Sequence, residues 1–331
     1  MEYSCKQLLR GLAASWLLAT SGFAAAAQPG PEPHPDWTGT GVCKGCHEDA
    51  YAAWRGSHHD LAMQPATAET VLGDFDNATF EYAGKPSRFY RKDGAFWVNT
   101  EGADGKLADF QVSYAFGVEP LQQYLVAFPG GRLQALGIAW DSRPAEAGGQ
   151  RWFHLYPEEQ VTAGDPLHWT GPYQNWNLQC AECHSTRLEK NYNPQSRSYR
   201  TTWSEINVAC EACHGPGANH VRLAQSGGLD DAEHGGFPLS LGERGGWAWP
   251  AGEANARRLE PLPHSQQVQS CGRCHARRGT LGDYRFGQHL SDTHRPALLR
   301  DPLYHADGQI LDEVYVYGSF LQSKMHAAGV V

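Results

Sequence analysis

Apolar residues in this chain fall into three kinds of pattern. Near the start, Gly11 to Phe23 is a predominantly apolar stretch, preceded by Lys6 and Arg10 and followed by Ala25-Ala26-Ala27. It is too short for a bilayer span, and its basic flank and small-residue end predict a secretory signal over residues 1–27, cut near Gln28. From Thr79 to Leu155 the pattern changes. Short runs rich in aromatic and β-branched residues (TFEYA, SRFYRK, AFWVNT, FQVSYAF) are separated by Asp93-Gly94, Asp104-Gly105 and Gly130-Gly131. Those dipeptides suit the left-handed backbone of hairpin turns, so the region predicts an antiparallel β meander. Between these regions, Tyr51, Trp54, His58 and His59 recur at roughly helical spacing and predict a helix running on from Cys43–His47. The Pro-rich residues 28–37 predict an extended lead-in.

Composition adds two constraints. The 331 residues suffice for roughly two domains, yet mean hydropathy is −0.53 and only 41% of the chain is hydrophobic. Something other than side chains is expected to fill part of the interior. The formal charge is −9, and Lys and Arg form no long run, which argues against a nucleic-acid surface. Removing Glu2, Lys6 and Arg10 with the signal changes 36 acidic and 27 basic residues to 35 and 25, a net charge of −10. The expected mature protein is exported, soluble and acidic, with no transmembrane segment.

Cysteine spacing defines the chemistry. With Cys5 discarded, the other eight of the nine cysteines form Cys43-Lys44-Gly45-Cys46-His47, Cys180-Ala181-Glu182-Cys183-His184, Cys210-Glu211-Ala212-Cys213-His214 and Cys271-Gly272-Arg273-Cys274-His275. Chance would supply about 0.01 C-x-x-C-H motifs in a chain of this composition, so four are not accidental. On a helical turn, residues i, i+3 and i+4 share one face. Both thiols can then form thioethers to a haem while the adjacent imidazole coordinates its iron, making His47, His184, His214 and His275 proximal ligands to four covalent haem c groups. Zinc clusters and exported disulfides also use C-x-x-C pairs, but neither requires a histidine after every pair. Sixteen histidines against Met63 and Met325 as mature thioethers predict mainly bis-histidine iron of low potential. After His214, Gly215-Pro216-Gly217 ends the helix and turns the chain, aiming His220 at a neighbouring iron rather than its own.

These residues resemble a family. The order of the four motifs, the W-x-x-x-x-H-x-x-A-M pattern at Trp54, His59, Ala62 and Met63, and C-E-x-C-H-G-P-G at the third motif are similar to the tetrahaem cytochrome c-554 family, some of whose wider relatives carry tetratricopeptide repeats downstream. The resemblance covers roughly residues 40–66 and 166–326. It implies that His59 pairs with His275 and His220 with His47. It also implies that the haem on His214 takes a histidine from beyond Cys274, with His305 ranked above His294 and His326. In small family members the haem on His184 has no second protein ligand; here His154 or His168 are candidates to close it. Relatives with repeats look similar through VYGSFLQSKMHAAGV and then reach another C-x-x-C-H, so the chain is expected to be a C-terminally incomplete fragment.

The expected organisation is a signal peptide at 1–27, a haem 1 segment at 28–66, a β-rich insertion at 67–165 and a haem 2 to haem 4 segment at 166–331. The fold class expected is mostly α and irregular, a multihaem cytochrome c fold with few short helices around stacked haems, plus the inserted meander. That meander could be a partner surface, a wall over a haem, or structural packing. The function expected is periplasmic electron transfer through four haems to redox partner proteins, with a periplasmic or membrane-bound donor or acceptor and no catalytic residues. The alternative is an oxidoreductase acting on a small nitrogen or sulfur compound at an open haem 2; a third reading is a haem-bearing interaction module. A C-x-x-C-K attachment, which nitrite reductases of this kind resemble, does not occur.

Overall fold

The structure is a computed structural model that describes residues 30–243, 245–259, 265–312 and 314–331. The expected signal at 1–27 lies outside the described residues. Strand β1 (Gly30–Pro31) pairs in parallel with Thr202–Trp203, which anchors the Pro-rich lead-in.

One antiparallel sheet dominates. Its strands are β2 (Met63–Pro65), β3 (Asp76–Tyr82), β4 (Lys85–Lys92), β5 (Ala95–Glu101), β6 (Leu107–Phe116), β7 (Leu121–Phe128), β8 (Arg132–Ala135), β9 (Ile138–Asp141) and β10 (Arg151–His154). The main path runs β10-β9-β7-β6-β5-β4-β3, with β2 added to β6 and β8 to β7. Turn chemistry sets the early register. Asp93 and Gly94 have φ of 52° and 77°, and Gly130 and Gly131 of 77° and 70°, the doubly left-handed backbone that tight hairpins need. The path curls until its ends meet through side chains: the Tyr82 ring of β3 stacks 3.5 Å from His154 of β10, and Phe89 of β4 stacks 3.6 Å from Trp152.

Period-two alternation fills the interior of this near-barrel. Phe89 of β4 faces Val98 of β5, and Trp140 of β9 faces Trp152 of β10, around a central Phe75 whose ring meets Phe89, Phe96, Tyr124 and Trp152 edge-on. The outer face is also used. Between Val112 and Tyr114 the β6–β7 register slips by one residue. This bulge lets Val112 and Ala115 stay in the inner core while Phe116 turns outward, joining Met63, Leu125, Leu133, Trp176 and Ala181 in a second core. That second core carries the second C-x-x-C-H motif.

The expectation of a mostly helical and irregular fold is overturned. Strand accounts for 27% and helix for only 23%, and the supposed insertion is a nearly closed, barrel-like sheet. The reason is physical: a C-x-x-C-H motif needs a single helical turn, so the attachment helices stay short, whereas the strands bury a continuous aromatic core.

Buried amides bolt the sheet to helix α3 (Trp176–Gln179). Asn177, fully buried, accepts from Leu133 N–H (2.8 Å) and donates to Gly131 C=O (3.1 Å) and Thr201 Oγ1 (2.8 Å). Asn175 donates to Gln134 Oε1 (3.0 Å). An Asn177→Leu change strands two backbone groups, while Thr201 Oγ1 keeps its bond to Lys190 C=O (3.0 Å); at about 1–3 kcal/mol for each unsatisfied group, denaturant unfolding is expected to give a loss of about 2 kcal/mol or more.

His154 makes the sheet sensitive to acid. Burial pulls its pKa down to about 4, and its Nδ1, which accepts from Tyr156 N–H (3.1 Å), has no room for a proton. The unfolded chain protonates this residue at about 6.5 and so binds more protons than the folded chain below that pH. Its contribution is flat above pH of about 6.5 and is lost progressively as pH falls towards 4. Thermal melts at neutral and acid pH should show a smaller drop in Tm for His154→Gln than for the unaltered protein.

Candidate haem-attachment site

Each motif is wound on a short turn. Cys46 and His47 N–H both reach Cys43 C=O, at 3.2 and 2.9 Å, between α1 (Thr40–Lys44) and α2 (Glu48–Trp54). The other three end at their histidines: α4 (Ala181–His184), α5 (Cys210–His214) and α7 (Gln266–His275). All eight thiols are free of disulfides. Burial pushes Cys180 up to about 12 and Cys213 up to about 11, so as free thiols they stay protonated.

The motifs touch in a spatial order that differs from the chain order. Thr40 Oγ1, beside Cys43, reaches Cys210 Sγ at 3.7 Å, joining the first motif to the third. Ser270 Oγ donates to Cys213 C=O (3.4 Å) and Arg273 to Ala212 C=O (3.3 Å), joining the third to the fourth. Cys183 Sγ lies 3.9 Å from Cys274 C=O, joining the fourth to the second. The row is therefore first, third, fourth, second.

Histidines from other segments meet the motif histidines. His47 and His220 have ring centroids 6.0 Å apart, and so do His59 and His275. Two imidazoles on opposite sides of one metal, each bonded at about 2.0–2.1 Å, have ring centres roughly 6 Å apart. His220 comes from the first turn of α6 (Ala218–Ser226) and donates from Nδ1 to Gly235 C=O (2.8 Å), which frees its other nitrogen. His184 does the same with Ala62 C=O (2.9 Å), and its ring meets Phe116 of the sheet edge-on at 5.4 Å. Burial holds His59, His184 and His214 below the ordinary histidine range, favouring the neutral ring that binds metals. A cavity of about 370 Å³ is lined by Cys43, His47, Cys210, His214 and His220 among others. The donor set, the spacing and this space all fit haem.

The expected helix through His59 is cut short. It stops at Trp54 because Gly56 takes φ of 77° and Asp60 accepts from Gly56 N–H (2.8 Å) and pairs with Arg55 (3.0 Å). His59 is instead fixed by its carbonyl, which accepts from Val208 N–H (3.2 Å).

Other expected ligands lie elsewhere. His154 and His168 are not brought to His184; they line a small cavity inside the sheet with Tyr82 and Glu101. His305 is exposed on a turn, its N–H donating to Gln309 C=O (2.9 Å). His326 is half-buried against Phe320. His294 is buried, with Thr293 Oγ1 at its Nδ1 (2.9 Å) and its Nε2 3.5 Å from Glu182 Oε1.

One residue with no expected role proves central. Glu211, inside the third motif and 1% exposed, accepts from Thr38 N–H (3.0 Å), Gly39 N–H (2.8 Å) and Gly217 N–H (2.7 Å). It ties the entry of α1 to the turn before α6, and so sets Cys43 and His220 relative to each other. The only sequence signal was an acidic residue within the resemblance pattern.

This arrangement defines a c-type cytochrome with several attachment motifs. Residues 42–79 and 158–215 match the family described as cytochrome c554 and c-prime, a match that includes the first three motifs and skips most of the sheet. The match spans less than a third of the chain, and over those segments the chain resembles a c554-like multihaem cytochrome. No curated protein matches it. The outer cell wall cytochrome OcwA superposes with a TM-score of 0.45 at 18% identity, over 79% of this chain and 45% of that one, so the chain spans less than half the length of OcwA. Among the described residues, no helix is long and apolar enough to cross a membrane.

Proposed function

We propose that the protein is a periplasmic electron carrier with four covalent haem c groups, attached through Cys43 and Cys46, Cys180 and Cys183, Cys210 and Cys213, and Cys271 and Cys274. The observation that carries this is the pair of 6.0 Å histidine spacings, one at His47–His220 and one at His59–His275. They support bis-histidine iron at the first and fourth motifs. For the haem on His214 we favour His294 over His305, because His294 is buried and His305 is exposed. Among the described residues the ring that meets His184 is Phe116 rather than a second histidine, so we take the haem on His184 as the open one.

When bound, such haems supply reversible one-electron chemistry at potentials set by their ligands and surroundings. The chain's part is to hold them in the first-third-fourth-second row, so that charge moves between neighbours in contact rather than along the sequence. Redox partner proteins then exchange electrons at the ends of the row. Reduced protein matured in a cytochrome-assembling bacterium tests the reading: three low-spin haems and one that binds carbon monoxide are expected. Four carbon-monoxide-binding haems would contradict it.

The oxidoreductase reading rests on the same open iron at His184. It gains weight only if that iron turns over a nitrogen or sulfur compound.

A further inference from the structure

A cavity of about 390 Å³ opens next to the second and fourth motifs, lined by Arg277, Arg278, Arg295 and Arg300 around Leu298 and Leu303. Four guanidinium groups in one hollow are unusual in a chain with a formal charge of −9. Two are balanced internally: Arg278 pairs with Glu182 (3.2 Å) and Arg277 with Asp312 (2.9 Å). Arg295 and Arg300 have no ion-pair partner among the described residues. The floor continues into an apolar surface, where Leu298 is 74% and Leu299 46% exposed and an adjoining hollow is lined by Tyr317 and Leu321.

Position gives this surface a use. Arg277 follows His275 by two residues, and Arg278 Nη2 lies 4.0 Å from Cys183 Sγ, the sulfur through which the second motif, at the end of the row, meets the fourth. We propose that this face docks an acidic redox partner protein, whose carboxylates meet Arg295 and Arg300 while its apolar residues cover Leu298 and Leu299. The assignment rests on the electron-carrier reading and adds where electrons enter or leave. Apolar centres with a charged rim suit brief, salt-sensitive encounters between redox proteins, in which charge raises the association rate more than the affinity.

The test uses the haem-loaded protein and its R295E/R300E variant. Reduced protein is mixed at low and high salt with hexacyanoferrate(III), an anionic oxidant, with and without poly-L-glutamate as an acidic polypeptide. The charge reversal is expected to slow oxidation about tenfold at low salt and little at high salt, by loss of electrostatic steering. Poly-L-glutamate should slow oxidation of the unaltered protein and not of the variant. Equal rates for both proteins overturn the site. A charge effect without protection by poly-L-glutamate also overturns it, since the cavity would then take small oxyanions only. A protein without haem gives no oxidation signal at all, which defeats the electron-carrier reading and this site with it; a haem-loaded protein indifferent to the reversal defeats the site alone.

Discussion

Replacing His220 by glycine is expected to convert one haem from low-spin to high-spin without releasing it. The thioethers at Cys43 and Cys46 and the proximal His47 remain, so haem content stays constant while the iron loses the imidazole now 6.0 Å across from His47. The vacated position should bind carbon monoxide, and added imidazole should restore the low-spin spectrum. His59→Gly should act in the same way on the haem held by His275, by the matching spacing. His305→Gly, on its exposed turn, should leave every spin state unchanged. Absorption and electron paramagnetic resonance spectra of the three variants check the set, and a His220 variant that stays fully low-spin without imidazole would contradict the ligand assignment.

The second large effect is expected at Glu211. Glu211→Leu removes the acceptors of Thr38, Gly39 and Gly217 N–H from a site that is 1% exposed. At about 1–3 kcal/mol for each stranded group, the loss should exceed about 4 kcal/mol, a large part of a typical stability of about 5–15 kcal/mol. Glu211→Gln keeps the volume and one oxygen and should lose about half as much. A merely structural defect would unfold everything together. Because Glu211 sets α6 against α1, denaturant titrations of these variants should show the His47–His220 haem turning high-spin before the far-ultraviolet signal of the sheet is lost.

The sequence made local chemistry legible and long-range geometry much less so. The four attachment motifs are complete within five residues each, and the Asp93-Gly94 and Gly130-Gly131 turns announce their hairpins because few other dipeptides accept that backbone. The closing of the sheet could not be read off, since it depends on how Tyr82 and Phe89 meet His154 and Trp152 across the molecule. Nor could the bulge beside Tyr114, one extra residue in an otherwise regular strand, which turns Phe116 towards His184. Cysteine spacing points to a helical fold because it marks where cofactors attach, not where most residues are hydrogen-bonded. The role of Glu211 depends on partners 172 and 173 residues away and leaves no local periodicity. His294 and His305 look alike in sequence; burial alone separates them.

On the reading proposed above, eight cysteines bond four porphyrins to this chain. Intact-mass measurement of denatured, alkylated protein matured with a functional cytochrome-assembly system tests it most directly. Four haem additions are expected, with no alkylation at any of the eight motif cysteines. Fewer than four additions, with alkylated thiols in Cys43–Cys46, Cys180–Cys183, Cys210–Cys213 or Cys271–Cys274, would contradict it.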